Sequence, residues 1–261
     1  MPIRDPFTLT GKVALVTGGA GIVGQGIFRA LAESGATAIT AARTLEKGEK
    51  LASVLRAEGL NAHAMICDQA QEASVLALRD QILAKWGRID ILVNNAVTRP
   101  MKEGHTSPAS TFAASMEVNA TGLFIITRAF GDAMAERKQG SIVNIASIQG
   151  VIGPDATLYE GLPMNGWYPD YFFHKGGMIN FTRYVASYYG RFGVRCNGLI
   201  PGGFVQETTS PEFVRRYSAR TFLGRMANPE DIGGAVVFLA GDASAYITGA
   251  NLPVDGGYTA K

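Results

Sequence analysis

Three short runs in this chain, VALVT at residues 13–17, DILVNN at 90–95 and SIVNIAS at 141–147, are apolar at consecutive positions rather than at every second one. A strand with one wet face alternates, whereas an unbroken apolar run belongs to a strand covered by helices on both faces, the situation of a parallel sheet. Runs of this kind recur at residues 12–17, 37–40, 62–66, 90–93, 141–146, 194–199 and near 251–254. Between them lie longer stretches with helical patterning at 22–34, 45–58, 71–86, about 110–137, about 170–190 and 229–240. Alternation of this sort predicts an α/β chain, a doubly wound parallel sheet flanked by helices. The stretch 149–169 breaks the rhythm: it is rich in Gly, Pro and aromatic residues and reads as a loop, and a loop longer than about 15 residues is usually functional or disordered.

A length of 261 residues suits one domain with a continuous core. No apolar stretch approaches a membrane span, and the start, MPIRDPFTLTGK, has no apolar run of the kind a secretory signal or anchor needs, so a cytoplasmic protein is expected. The two cysteines, Cys67 and Cys196, stand 129 positions apart within apolar runs, which argues for buried, reduced thiols. A net charge of +2 from interspersed charges offers no basic stripe for nucleic acid. His63, His105 and His174 have no partner at metal-ligand spacing, and no metal is expected.

Directly after VALVT, residues Gly19, Gly21 and Gly24 spell GxGxxG at the start of a helical stretch. In that context glycines let the backbone turn tightly and approach a pyrophosphate held on free amides at the helix start. Gly18, Ile22 and Val23 complete the expected turn. At the end of the second strand a carboxylate commonly takes the adenosine ribose, and an arginine accommodates a 2′-phosphate. Here Ala42 stands at that place and Arg43 follows, with no acid before Glu46, so NADP(H) is favoured and NAD(H) is left open.

Tyr171 and Lys175, four apart at the start of a helical stretch, share one face. A tyrosine ionises near pH 10, too high for acid/base work at neutrality, and an adjacent ammonium stabilises its phenolate. The bare pair is weak evidence; its surroundings strengthen it. NNA at residues 94–96, Asn119 in MEVNATG, Ser147 in VNIAS, Tyr171 with Lys175, and Pro201–Gly202 follow one another in an order that resembles the short-chain dehydrogenase/reductase family. Asp68 after the third strand, PEDI at 229–232 and ITGANLPVDGG from 247 extend the resemblance over nearly the whole chain. It implies a Rossmann-like single dinucleotide-binding and catalytic domain over 1–261 and an oxidoreductase of secondary alcohols and ketones. In such a protein Tyr171 exchanges the proton, Ser147 hydrogen-bonds the substrate oxygen, Lys175 holds the nicotinamide ribose and acidifies Tyr171, and Asn119 orders a water. Asp68 would touch the adenine, Asn95 and Ala96 would lie against the cofactor, and Pro201 and Gly202 would flank it. A homotetramer or homodimer is the implied assembly, with the aromatic face of residues 183–192 packed between subunits.

The sequence departs from that family in two places. Thr17–Gly24 reads TGxxGxxG, with Ile22 where members of this length usually have a glycine. Ser147 and Tyr171 lie 24 positions apart, beyond the family's usual spacing, so an insert at 148–169 should border the substrate. Its Asp155, Tyr159, Glu160, Trp167 and Tyr168 would suit a hydroxyl-rich substrate, a sugar, polyol or sugar acid, and residues 204–225 form the other substrate loop. A surface flap or subunit contact is the plainer account of the insert. Arg99, Lys102 and His105 are candidates for a carboxylate or are simply solvated. A 3-oxoacyl thioester reductase and a non-catalytic dinucleotide-binding regulator are the competing functions.

Overall fold

The computed structural model describes residues 5–164 and 166–260. Residues 1–4, read above for a signal, residue 165 of the expected insert, and residue 261 lie outside the described residues. The strands are β1 (Val13–Thr17), β2 (Thr37–Ala42), β3 (Ala62–Ile66), β4 (Ile91–Asn94), β5 (Gly140–Ile145), β6 (Val194–Pro201) and β7 (Asn251–Val254). The α-helices are α1 (Ile22–Glu33), α2 (Leu45–Ala57), α3 (Glu72–Trp86), α4 (Ala109–Met116), α5 (Leu123–Glu136), α6 (Pro169–Gly190), α7 (Pro211–Ser218) and α8 (Gly233–Ala240). All seven strands pair in parallel in the order β3-β2-β1-β4-β5-β6-β7. The order reverses between β1 and β4, the place where an open α/β sheet leaves a crevice at its carboxyl edge.

β1 shows why the strands lack alternation. Ala14 and Val16 enter a core with Ile27 and Phe28 of α1, Leu55 of α2 and Val236 of α8. Val13 and Leu15 enter another with Leu78 and Ile82 of α3, Ile126 and Phe130 of α5 and Val185 of α6. Both faces are dry, so every position is apolar. A third cluster, Leu158, Phe213, Tyr217, Met226 and Tyr258, joins the insert to the segment after β6.

Four expectations need correction. The single helix over 110–137 is two helices joined by a π-helical segment, Glu117–Gly122. The helix over 229–240 begins as a 3₁₀ turn, Pro229–Ile232, where Asn228 and Asp231 form a reciprocal capping box. The expected loop 149–169 contains the 3₁₀ turn Ala156–Leu158, and the segment 204–225 contains α7.

Candidate active site

At the carboxyl edge a cavity of about 910 Å³ runs from the β1–α1 turn to the start of α6. Its walls carry Gly18, Gly21, Ile22, Val23, Gly24, Arg43, Asp68, Asn95, Ala96, Ser147, Tyr171, Lys175, Pro201 and Gly202. Of the catalytic and cofactor-binding residues expected from the sequence only Gly19 and Asn119 lie off the wall, and each has a supporting place behind it.

The β1–α1 turn is built to bring backbone close to a ligand. Gly18 has φ +65°, in the left-handed region. Gly19 donates its N–H to Thr40 Oγ1 at 3.0 Å, and a Cβ there would meet that oxygen at 2.4 Å, so its absence seats the turn on β2. α1 starts at Gly21 with no side chain capping its first-turn amides, which leaves them for an anion. Asn95 is spent on this turn: its Nδ2 donates to Thr17 O and Gly18 O at 2.9 and 3.1 Å, while Thr17 Oγ1 accepts from the amides of Asn95 and Ala96. Asp68 accepts from the Ala70 amide and lines the cavity near the end of β3. A glycine turn with free amides and a cavity that leads from it to a phenol and an ammonium fit a nicotinamide dinucleotide.

Tyr171 and Lys175 sit in the first turns of α6, where Pro169 supplies a preset φ at the helix start. Both are buried, with 8 % and 2 % exposure, so their charges act in a poorly screened space. Lys175 Nζ donates to Ile145 O at 2.5 Å and lies 5.6 Å from the Tyr171 ring centre. Burial pushes the Tyr171 phenol up. The positive charges of Lys175 and Arg99 and hydrogen bonds from Ser147 and Arg99 outweigh that, so it sits below its ordinary value. Burial also holds Lys175 below the usual lysine range, partly offset by Tyr171. Ser147, at the end of β5, accepts from the Gln149 amide at 3.1 Å and so caps a short turn. This use leaves its proton for the cavity.

Asn119 lies in the π-helical segment behind this wall. Its Oδ1 accepts from Thr98 N at 2.9 Å, and its Nδ2 donates to Thr98 O at 2.8 Å and Ser115 Oγ at 2.9 Å. The side chain is thereby committed to the protein. Ser115 in turn donates to Asp170 Oδ2 at 2.5 Å. Both Ser115 and Asp170 are fully buried. Neither was singled out from the sequence; an acid directly before Tyr171 was the available signal. A second buried ladder ties the sheet to α6: Asn94 Nδ2 to Asn144 Oδ1, and Asn144 Nδ2 to Thr182 Oγ1.

The insert contributes less polar surface than its composition suggested. Asp155 is paired with Arg220 at 2.6 Å, and Arg216 donates to the carbonyls of Thr157 and Glu160 at 3.1 and 2.7 Å. The acid thus serves as a strut between the insert and α7. Of the five insert residues named from sequence only Tyr159 reaches the cavity wall, with its ring centre 5.3 Å from that of Phe213. Of the three loop residues named after β4 only Arg99 does; His105 is exposed, and Lys102 lies 5.9 Å from the Tyr168 ring centre. Gln206 and Thr209 line the cavity, whereas Thr208 is not among its lining residues. Cys67 and Cys196 are buried free thiols, and burial pushes both up, Cys67 to about 11.

A family model described as enoyl-(acyl carrier protein) reductase matches residues 18–259. The chain is 34% identical over 259 residues to a D-threitol dehydrogenase of Mycolicibacterium smegmatis, covering 98% of this chain and 95% of that one. It is 34% identical over 256 residues to a cyclopentanol dehydrogenase of Comamonas sp., covering 96% and 98%. Among solved structures it superposes with a TM-score of 0.87 on a gluconate 5-dehydrogenase from Burkholderia cenocepacia in complex with NADP and tartrate, at 34% identity and 98% coverage of each chain. The chain belongs to the short-chain dehydrogenase/reductase family. It is a nicotinamide-dinucleotide oxidoreductase of CH–OH groups in a Rossmann-like fold.

Proposed function

We propose that the protein interconverts a secondary alcohol and its ketone, with a sugar, polyol or sugar acid as substrate class and NADP(H) as preferred cofactor. The observation that carries this reading is the convergence of Ser147, Tyr171 and Lys175 on the wall of one cavity that begins at the glycine turn. A D-threitol dehydrogenase and a gluconate 5-dehydrogenase among the similar proteins support the hydroxyl-rich class.

When bound, the nicotinamide supplies the hydride acceptor or donor. The amides at the start of α1 would hold its pyrophosphate, Asp68 its adenine side and Lys175 its ribose. In oxidation, Tyr171 as phenolate takes the carbinol proton, and the Lys175 ammonium keeps that phenolate stable between turnovers. Ser147 donates to the same oxygen and fixes its position. Asn119, whose side chain is fastened by Thr98 and by Ser115, itself bound to Asp170, holds the π-helical segment in place, and its backbone carbonyl would be the group to order a water. Gly19 acts through the seating of the turn, and Ala96, Pro201 and Gly202 through the cavity wall.

Arg43 supports the phosphorylated cofactor. It lines the cavity beyond β2, and among the described residues no carboxylate is paired with it. Assay of alditols, aldonic acids, cyclic alcohols and acyl thioesters with both cofactors tests the whole reading. NADP(H) is expected to exceed NAD(H) by about tenfold or more in kcat/KM, and Arg43→Ala to close most of that gap, as loss of a charge-assisted phosphate contact would. A tenfold preference for NAD(H) would overturn the cofactor assignment, and cofactor binding without turnover on any class would overturn the enzymatic one.

The insert and α7 act together as the substrate-side wall. Arg216→Ala is expected to raise the KM of the alcohol by about tenfold through loss of charge-assisted hydrogen bonds, while the dinucleotide Kd stays within about twofold because the cut lies away from the α1 turn. Equal losses in both constants would refute a role confined to the substrate. The exposed aromatics Phe173, Tyr184 and Tyr188 of α6 support a homotetramer or homodimer, testable by sedimentation.

A further inference from the structure

We propose that Arg99 selects a carboxylate: a hydroxy acid, or its keto form, docks its carboxylate on the Arg99 guanidinium and its reacting oxygen between Tyr171 and Ser147. This rests on the oxidoreductase reading above and narrows its substrate class to acids whose carboxylate stands close along the chain to the carbinol carbon.

The argument begins with how Arg99 is held. Its guanidinium carbon lies 4.1 Å from the centre of the Tyr171 ring. A guanidinium resting on an aromatic ring engages its flat face there; Arg99 also hydrogen-bonds the Tyr171 oxygen, and the rest of its N–H donors remain for a carboxylate. Arg99 is exposed and lines the cavity, so it is accessible to a ligand there. Among the described residues none of the ion pairs involves Arg99. The only acid among the described residues lining the cavity is Asp68, which belongs to the β3 side. The cation beside the phenol therefore has a face engaged and an edge without an acid. Tyr159, Gln149, Gln206 and Thr209 line the same cavity and supply the hydroxyls and amides that suit the remaining hydroxyls of such a substrate.

The position of Arg99 also couples recognition to chemistry. The groups facing Tyr171 are Lys175 and His174 from α6, Arg99 from the loop after β4, and the neutral donor Ser147 from the end of β5. Burial and the neighbouring cations push His174 down to about 3, so it is neutral across the working range. The phenol thus faces two cations. A carboxylate seated on Arg99 offsets one of them, and the phenolate loses part of its support, so Tyr171 ionises at higher pH with an acid bound than with a neutral alditol bound.

The test pairs each aldonic acid with the alditol of the same carbon number and configuration, on the full-length protein with its preferred cofactor. The acids are expected to exceed their alditols by about tenfold or more in kcat/KM, the size of a charge-assisted pair. Arg99→Gln is expected to lower the acid-to-alditol ratio by at least about tenfold, and Arg99→Lys to retain part of it, because lysine keeps the charge and loses the fork. In pH profiles kcat/KM follows the free enzyme and kcat the substrate complex. In oxidation the acidic limb of kcat, set by ionisation of Tyr171, should lie at higher pH than that of kcat/KM for acids, coincide with it for alditols, and lose its offset in Arg99→Gln. An acid-to-alditol ratio near one, an equal loss on both in Arg99→Gln, or coincident limbs for the acids would overturn the proposal. Turnover on alditols alone would sink the carboxylate assignment and leave the oxidoreductase reading standing. No turnover on either member of any pair, with cofactor bound, would sink that reading as well.

Discussion

Tyr171→Phe is expected to lower kcat by about a thousandfold or more, within the range that a positioned proton donor contributes, while the dinucleotide Kd changes by no more than about threefold, since the ring that borders the site is kept. Phenylalanine preserves the ring that carries the Arg99 contact and the edge contact with His174 at 5.2 Å between centres, so the wall keeps its shape. What disappears is one oxygen, the atom on which Lys175, Arg99 and Ser147 act. The sign of the pH dependence follows from the depressed phenol. Oxidation needs the phenolate, so its rate is present above the lowered value and lost as pH falls through it. Reduction needs the phenol, and is lost as pH rises through the same value. The absorbance of reduced nicotinamide reads turnover in both directions, and its fluorescence on titration reads binding. Turnover near the wild-type rate would remove Tyr171 from the chemistry.

Much of this site could be read from the sequence because its parts are local. Tyr171 and Lys175 meet because four residues make about one helical turn, and the turn at Gly18 to Gly24 is legible because Gly18 takes a left-handed φ and Gly19 and Gly24 leave no room for a Cβ. The strand assignment was equally legible, since the dryness of both sheet faces is written into consecutive apolar positions. What escaped was set by pairing over long sequence distance. Asp155 has the composition of a substrate acceptor, yet Arg220, 65 positions away, takes it. Asn119 was read as ordering a water, and nothing in the sequence showed that Thr98 and Ser115 engage its side chain. The π-helical segment was hidden because its pattern of apolar residues continues that of the helices on either side. α7 is only eight residues long and buries Phe213 and Tyr217, too short a period to stand out. Arg99 was one of three loop residues of equal standing, with Lys102 and His105, until the course of the loop laid it across Tyr171.

Gly24→Ala is expected to damage both the fold and the cofactor site, and for one geometric reason. A Cβ on Gly24 would stand 2.3 Å from Gly18 O, 2.7 Å from Gly19 Cα and 2.9 Å from Asn95 Nδ2. The first two are backbone atoms of the turn itself, which cannot rotate away as a side chain can. Alanine gains about 1 kcal/mol of helix propensity over glycine, but overpacking of a tight contact costs about 1–3 kcal/mol or more. The turn must therefore lift from α1, and the amides at the helix start leave the positions in which they would hold a pyrophosphate. The melting temperature should fall by about 5 °C, at roughly 2–4 °C per kcal/mol for a chain of this size. The dinucleotide Kd should rise at least about tenfold as the anion site opens. Gly234→Ala supplies the contrast, since a Cβ there meets nothing within 4 Å and the residue lies in α8, where alanine should be neutral or slightly stabilising. If both variants melted and bound alike, close packing of the turn on α1 would not be what shapes this site.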